Sequence, residues 1–263
     1  MRGDILKKKL MVLCAVAIMI STCLTGCKMN SGKIRFGSAG IGGTYQIFGD
    51  TFANLISSKS KKYNIEVKTT AGSAANLRLL SKDYIQMAVA QMDLINDAYN
   101  RTGIFENDKK YQGYRAVASL YTEACQIVVP ADSDIQSMDD LEGKKVCIGE
   151  EESGTEQNAL QILNAYGLNE RLVDTVNLNY TDAAKKLKSG DIDAFFCTAR
   201  VQTTVINELS KQCKIRLVSL DQKGVSRLKK SYKFYTEYTI PAGTYVNQTK
   251  EIKTVGVKAV LLA

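Results

Sequence analysis

The stretch IRFGSAGIGGTYQIFGDTFANLI, residues 34–56, indicates the fold of this chain. Residues 34–38 have the composition of a short β-strand, and a glycine-rich turn follows them. Tyr45, Phe48 and Phe52 then recur at the three- and four-residue spacing that is typical of the apolar face of a helix. A strand, a glycine turn and a helix in this order predict one βα unit.

The same alternation continues along the rest of the chain. The expected strands are residues 65–70, 86–91, 115–120, 125–130, 145–148, 175–178, 194–198 and 215–220, and the expected helices are residues 74–81, 93–100, 156–166, 181–188 and 202–210. Strands that alternate with helices predict an α/β protein whose mostly parallel sheets are covered by helices on both faces.

The length of 263 residues exceeds the usual size of one domain and favours two lobes. We expect a first lobe from residues 34–124, a second lobe from residues 125–221 and a return to the first lobe in residues 222–263. Paired crossovers of this kind predict a hinged clamshell with a ligand between the ends of its strands. The apolar run 252–263 stops without a capping signal, so we expect the chain to be truncated there.

The N-terminal segment has the order of a signal peptide. Three lysines at residues 7–9 precede an apolar run at residues 10–20, and Leu24-Thr25-Gly26-Cys27 follows. Eleven apolar residues, at 1.5 Å each, are too few to span the roughly 30 Å hydrocarbon core of a bilayer. Residues 1–26 are therefore predicted to be a signal peptide.

The tetrapeptide that ends at Cys27 resembles the bacterial lipobox, which implies cleavage before a diacylated Cys27. Residues 27–33 would then be a lipidated tether, and the protein would be anchored on the outer face of the cell membrane. The alternative is secretion with Cys27 as an ordinary residue.

The composition excludes several classes of function. The chain has no histidine, which removes histidine-dependent catalytic triads and the commonest zinc ligand. Its net charge of +8 is partly that of the N-terminal segment, and the other lysines are scattered or in short runs without interleaved aromatic residues, so nucleic-acid binding is not expected. The four cysteines after residue 27 lack metal-type spacing, and the sequence leaves both disulfides and free thiols open. Because Cys147 and Cys197 lie in apolar runs, we favour buried reduced cysteines.

Three glycine-bearing turns occupy equivalent places, each after a predicted strand and at the start of a predicted helix. They are residues 40–45, 71–74 and 152–156. Glycine lets backbone N–H groups approach a ligand, serine and threonine supply hydroxyls, and a helix N-terminus favours an anion. Together these turns predict a carboxylate site that needs no arginine, although each one alone is more often a simple helix cap.

Several motifs together resemble the TAXI group of TRAP transporter solute receptors. They are Phe36-Gly37, Gly42-Gly43-Thr44-Tyr45, Gly72-Ser73-Ala74-Ala75-Asn76-Leu77-Arg78, Ser153-Gly154-Thr155-Glu156, Asp191-Ile192-Asp193-Ala194-Phe195-Phe196 and Ile240-Pro241-Ala242-Gly243-Thr244-Tyr245. The resemblance implies a type II periplasmic-binding fold and a permease driven by an ion gradient. It also implies a small carboxylate ligand, such as glutamate, glutamine or a related dicarboxylate.

The resemblance also implies which residues contact the ligand. In the first lobe and then the second, these are Gly43, Thr44, Tyr45, Ser73, Gln91, Ser153, Gly154, Thr155 and Thr198. The chain departs from the family after Phe196, where Arg200 follows Cys197-Thr198-Ala199. Arg200 is either a cation that pairs with the ligand or a surface residue at a helix start.

We expect a monomeric receptor that is not an enzyme and carries no cofactor or metal. An enzyme on the same fold remains an alternative, because fold does not fix function. The receptor of an ATP-driven importer is a second alternative, and a surface adhesin is a third.

Overall fold

The fold is described from a computed structural model over residues 32–109, 111 and 113–263. The strands are β1 (Lys33–Gly37), β2 (Asn64–Lys68), β3 (Met87–Gln91), β4 (Ala116–Pro130), β5 (Lys145–Gly149), β6 (Asp174–Asn177), β7 (Ala194–Ala199), β8 (Ile215–Leu217), β9 (Thr236–Ile240) and β10 (Ile252–Leu262). The α-helices are α1 (Thr44–Lys59), α2 (Ser73–Ser81), α3 (Met92–Asn100), α4 (Gly154–Ala165), α5 (Tyr180–Ser189), α6 (Thr204–Gln212) and α7 (Gln222–Ser231). The predicted signal peptide and the anchor at Cys27 lie outside the described residues.

The strands form one mixed sheet with the order β2-β1-β3-β10-β4-β7-β5-β6, and β8 and β9 pair beside it. β1 pairs in parallel with β3, and β5 pairs in parallel with both β6 and β7. We call β1–β3 with α1–α3 the first half, and β5–β7 with α4–α6 the second half. Within each half a helix follows each strand, as the sequence predicts, so the helices of each half begin at the carboxyl ends of its parallel strands.

The two central strands, β4 and β10, run antiparallel to their neighbours and join the halves. β4 pairs with β10 up to Ala124 and with β7 from Ala124 onward. The prediction of two separate strands at residues 115–120 and 125–130 is wrong, because β4 continues through both. The polar residues around Glu123 suggest a break, but the side chain of Glu123 is only 2% exposed.

The sequence patterns did not predict the C-terminal elements α7, β9 and β10. Val225 and Leu228 of α7 pack in the same apolar cluster as Ile162 and Leu163 of α4. β10 pairs with β3 at one end and with β9 at the other, so it lies at the centre of the sheet. The lobe boundaries at residues 124/125 and 221/222 remain a proposal.

The sheet is buried on both faces, as expected for strands that helices cover. Phe195 and Phe196 alternate along β7 and pack in apolar clusters on opposite faces, each at most 1% exposed. The cysteines Cys125, Cys147, Cys197 and Cys213 are free thiols, and the first three are buried, which agrees with their expected role as core residues. None of the described helices combines the length and the hydrophobicity that a membrane crossing requires.

Candidate functional site

Nine of the ten residues expected to contact a ligand line one cleft between the two halves. The cleft contains about 460 Å³ of space, including its open mouth. The nine residues are Gly43, Thr44, Tyr45, Ser73, Gln91, Ser153, Gly154, Thr155 and Thr198. They come together because β3 and β7 run in opposite directions in the sheet, so their carboxyl ends at Gln91 and Ala199 meet near the middle of β4, close to Glu123. The tenth residue, Arg200, directly follows β7, is exposed and does not line the cleft. This position agrees with the alternative that Arg200 is a surface residue.

Two helix N-termini face the cleft with unused backbone donors. The first N–H groups of a helix have no partner within the helix. No described residue accepts a hydrogen bond from the amides of Thr44 and Tyr45 at the start of α1, or from those of Gly154 and Thr155 at the start of α4. Since α1 and α4 belong to opposite halves, an anion in the cleft can receive donors from both.

The N-terminus of α2 is engaged differently from the prediction. The amides of Ala74 and Ala75 donate to the carbonyl oxygen of Glu152, at 3.1 and 3.2 Å. Ser73 accepts a hydrogen bond from the amide of Gln91 through its Oγ, at 3.1 Å. The turn at residues 71–74 therefore binds the second half of the protein through Ala74 and Ala75, while Ala71, Gly72 and Ser73 border the cleft.

The hydroxyl of Thr155 is already part of a hydrogen-bonded wall. Its Oγ1 lies 2.5 Å from the hydroxyl of Tyr180 and accepts the amide of Thr198 at 3.3 Å. Tyr180 in turn donates to the carbonyl oxygen of Thr198 at 3.0 Å. This network connects α4, α5 and β7, so Thr155 shapes the cleft as well as bordering it.

Glu123 is a cleft residue that the sequence patterns did not identify. Its Oε2 accepts hydrogen bonds from the hydroxyl of Tyr45 at 2.8 Å and from Nε2 of Gln91 at 3.2 Å. Burial raises the pKa of the Glu123 carboxyl to about 8, although the bonds from Tyr45 and Gln91 act in the opposite direction. The signal that could have identified Glu123 is an isolated acid inside the apolar run of β4.

The cleft has a second carboxyl and no basic side chain. Glu150, half-buried, also lines it, and burial raises the pKa of this carboxyl. No lysine or arginine is among the described residues that line the cleft. Within the part of the chain that the structure describes, no group of cysteine, aspartate and glutamate side chains is arranged to hold a metal ion.

The two halves touch each other around the cleft. A Cβ added to Gly40 would lie 2.1 Å from Oε2 of Glu150, and one added to Gly154 would lie 2.2 Å from Oε1 of Gln91. Gly72 has a φ of +129°, which favours glycine, and faces Ser153. These glycines therefore permit the close approach of the halves in this closed arrangement.

The family of the chain follows from a match over most of its length. A family model described as the NMT1-like family matches residues 36–263. The chain belongs to the NMT1-like family. In this NMT1-like protein the matched segment contains every residue that lines the cleft.

Solved structures share the fold of this NMT1-like protein. A protein from Bordetella bronchiseptica RB50 has a TM-score of 0.55 at 17% identity, with 87% of this chain and 64% of that chain covered. The alkanesulfonate-binding protein SsuA from Xanthomonas axonopodis pv. citri, bound to MOPS, has a TM-score of 0.51 at 15% identity, with 88% of this chain and 65% of that chain covered. The effector-binding domain of QuiR in complex with shikimate has a TM-score of 0.53 at 9% identity, with 88% of this chain and 87% of that chain covered.

These likenesses confirm the predicted α/β fold of type II periplasmic-binding proteins. The NMT1-like chain spans slightly less than two thirds of the SsuA and Bordetella chains. Sequence identities below 20% establish only a shared fold, so the class of ligand has to be inferred from the cleft of this chain.

Proposed function

We propose that this protein is an extracytoplasmic solute receptor that closes its two halves around a small organic acid. The observation that carries the proposal is the pair of unused helix N-termini at Thr44 and Gly154, which face one cleft from opposite halves. Backbone amides and a helix dipole stabilise a carboxylate without a basic side chain. Small-molecule binding by SsuA and by the QuiR domain supports a ligand of this kind.

The proposed ligand is a small carboxylate, such as glutamate, glutamine or a dicarboxylate. Gly43, Thr44 and Tyr45 would contact it from the first half, with Ser73 and Gln91 beside them. Ser153, Gly154, Thr155 and Thr198 would contact it from the second half. Catalysis is not proposed, because the free thiols of Cys125 and Cys197 are buried and burial raises their pKa values, so neither is a ready nucleophile.

A ligand screen tests this proposal directly. The purified protein is heated with amino acids, 2-oxo acids, dicarboxylates and alkanesulfonates, one at a time. A ligand that binds only the folded state stabilises it by about 2.7 kcal/mol at one hundred times its Kd, so the melting temperature rises. Thr155→Ala weakens the response because it opens the Thr155–Tyr180 wall, whereas Thr51→Ala, on the exposed face of α1, does not.

A flat response to all four classes of compound would contradict the receptor function. A compound that is converted and released, rather than retained in a one-to-one ratio, would favour an enzyme instead.

The proposed location is the outer face of the cell membrane, through a lipid on Cys27. The lipobox-like Leu24-Thr25-Gly26-Cys27 supports this anchor. Cys27→Ala is expected to move the protein from the membrane fraction to the medium, and detergent should be needed to extract the unmodified protein. Continued membrane association of the variant would contradict the anchor.

The proposed partner is a TRAP-type permease that an ion gradient drives, and the TAXI-like motifs support it. The receptor of an ATP-driven importer is the alternative. Uptake of the identified ligand into intact cells separates the two, because an ionophore abolishes gradient-driven uptake while ATP levels are maintained. Uptake that depends on the ATP level and persists after the ionophore has collapsed the gradient would support the ATP-driven importer. We propose a monomer with no nucleic-acid partner.

A further inference from the structure

The cleft has an uneven distribution of charge. Two helix N-termini provide partial positive charge and unused N–H donors, as described above. The charged side chains that line it are Glu123 and Glu150, both acids. A cleft built only for a carboxylate or a dicarboxylate gains nothing from two acids and is opposed by them.

The carboxylate of Glu123 can accept a further hydrogen bond. Its Oε2 is held by Tyr45 and Gln91, but no described residue donates a hydrogen bond to Oε1. A buried carboxylate is costly unless it is paired and hydrogen-bonded. No cationic side chain in the described cleft supplies that pair, so the pair has to come from a proton or from the ligand.

The hydrogen bonds to Glu123 favour its ionised form, and a cation beside it would replace the proton that burial otherwise holds there. Tyr45 and Gln91 both present donors to Oε2, so they hold the carboxylate in place and leave Oε1 without a donor from the described residues. Oε1 of Gln91 is buried and has no partner among the described residues, which provides a second acceptor beside Glu123. Both acceptors belong to residues that line the cleft.

We propose that the ligand is an amino acid, with its carboxylate at the N-termini of α1 and α4 and its ammonium group on Oε1 of Glu123. This inference rests on the proposed receptor function and narrows its ligand class. The ammonium group supplies the positive charge that Glu123 needs as a partner, and two of its three N–H donors match the free acceptors, Oε1 of Glu123 and Oε1 of Gln91. A 2-oxo acid or a simple dicarboxylate has no such donor, so Glu123 has to keep a proton when one of these binds.

Matched pairs of ligands test the proposal without any variant. The wild-type protein is titrated calorimetrically with L-glutamate and 2-oxoglutarate, L-alanine and pyruvate, and L-leucine and 4-methyl-2-oxopentanoate. Within each pair only the ammonium group is replaced by a carbonyl. In the pair with measurable affinity, the amino acid is expected to bind at least about tenfold more tightly.

Glu123→Gln then tests the residue itself. The amide keeps the size of the side chain and an oxygen that accepts from Tyr45, but it removes the negative charge. The amino acid is expected to lose at least about tenfold in affinity, while its 2-oxo counterpart changes by less than about threefold. Glu142→Gln, at an exposed site away from the cleft, is the matched control and is expected to bind as the wild type does.

The outcomes separate this inference from the function on which it rests. If the 2-oxo acid binds the wild type as tightly as the amino acid, or if Glu123→Gln weakens both equally, the amino-acid inference is overturned and the receptor function stands. If no compound in any pair or in the wider ligand screen binds, both are overturned.

Discussion

Nε of Arg78 lies 2.9 Å from Oε1 of Glu152, and this ion pair connects the two halves beside the cleft. Arg78 follows Ser73 on α2, while Glu152 precedes Ser153 at the start of α4. The carbonyl oxygen of Glu152 also accepts the amides of Ala74 and Ala75. The pair therefore reinforces the closed arrangement in which both sides of the cleft meet.

Glu152→Gln is expected to weaken ligand binding modestly. The Glu152 side chain is 42% exposed, and exposed ion pairs contribute about 0.2–1 kcal/mol, so affinity falls by up to about fivefold. The loss should shrink at high salt, because salt screens exposed charges. Titration at low and high salt measures it, with Glu142→Gln as the control. An affinity loss that is unchanged by salt would argue against an ionic origin.

Gly154→Ala is expected to hinder closure of the cleft. The new Cβ would lie 2.2 Å from Oε1 of Gln91, so Gln91 has to move away from Glu123 before the halves can meet. We expect ligand affinity to fall by about tenfold, while the stability of the ligand-free protein changes little, because alanine is the best helix former. Titration and denaturant unfolding measure the two quantities.

The double variant Gly154→Ala with Gln91→Ala tests whether the clash with Gln91 causes the loss of affinity. If the clash is the cause, Gly154→Ala costs less affinity in the Gln91→Ala background than in the wild type. Fully additive losses would contradict a steric origin.

Ser153→Ala is expected to reduce both stability and binding. The Oγ of Ser153 accepts the amide of Glu156 at 3.0 Å and caps α4, and loss of such a cap costs about 1 kcal/mol. Asp221→Ala removes an equivalent cap, on Gly224 at the start of α7, away from the cleft. Denaturant unfolding should show similar losses for both variants, whereas ligand affinity should fall only for Ser153→Ala. Equal affinity losses would contradict a cleft role for Ser153.

Asp93→Asn is expected to change how stability depends on pH. Burial raises the pKa of Asp93 from 3.8 to about 6, although its Oδ2 accepts a hydrogen bond from Asn158 at 3.1 Å. The folded state therefore binds this proton more tightly than the unfolded state does. As pH rises from about 4 to about 6, the free energy of unfolding decreases, and above that range the loss is complete.

The variant cannot ionise, so it should gain stability relative to the wild type across that pH range. The full difference is about 3 kcal/mol, at 1.36 kcal/mol for each pKa unit. Denaturant unfolding at pH 4, 5, 6 and 7 measures it, with Asp50→Asn on the exposed face of α1 as the control. Parallel curves for Asp93→Asn and the wild type would show that Asp93 does not titrate in this way.

Local patterns were sufficient for most of the helices and strands. The periodicity of residues 34–56 and the glycines at residues 40–43 are short-range features, and the structure contains the predicted strand β1 and helix α1. Within each half the turns follow parallel strands and lie at one end of them, and the two halves run in opposite directions, so the two sets of turns face each other across the middle of β4. This is why nine residues chosen from motifs line the same cleft.

Sequence by itself determined the alternation of strands and helices, the positions of the glycine turns and the absence of histidine chemistry. Only the tertiary structure decided that β4 is one strand, that β10 lies at the centre of the sheet and that Arg200 faces solvent. It also decided that Glu123 faces the cleft. Which side of a strand is buried, and which distant residues meet it, depends on pairing between segments far apart in the chain, and no local pattern encodes that pairing.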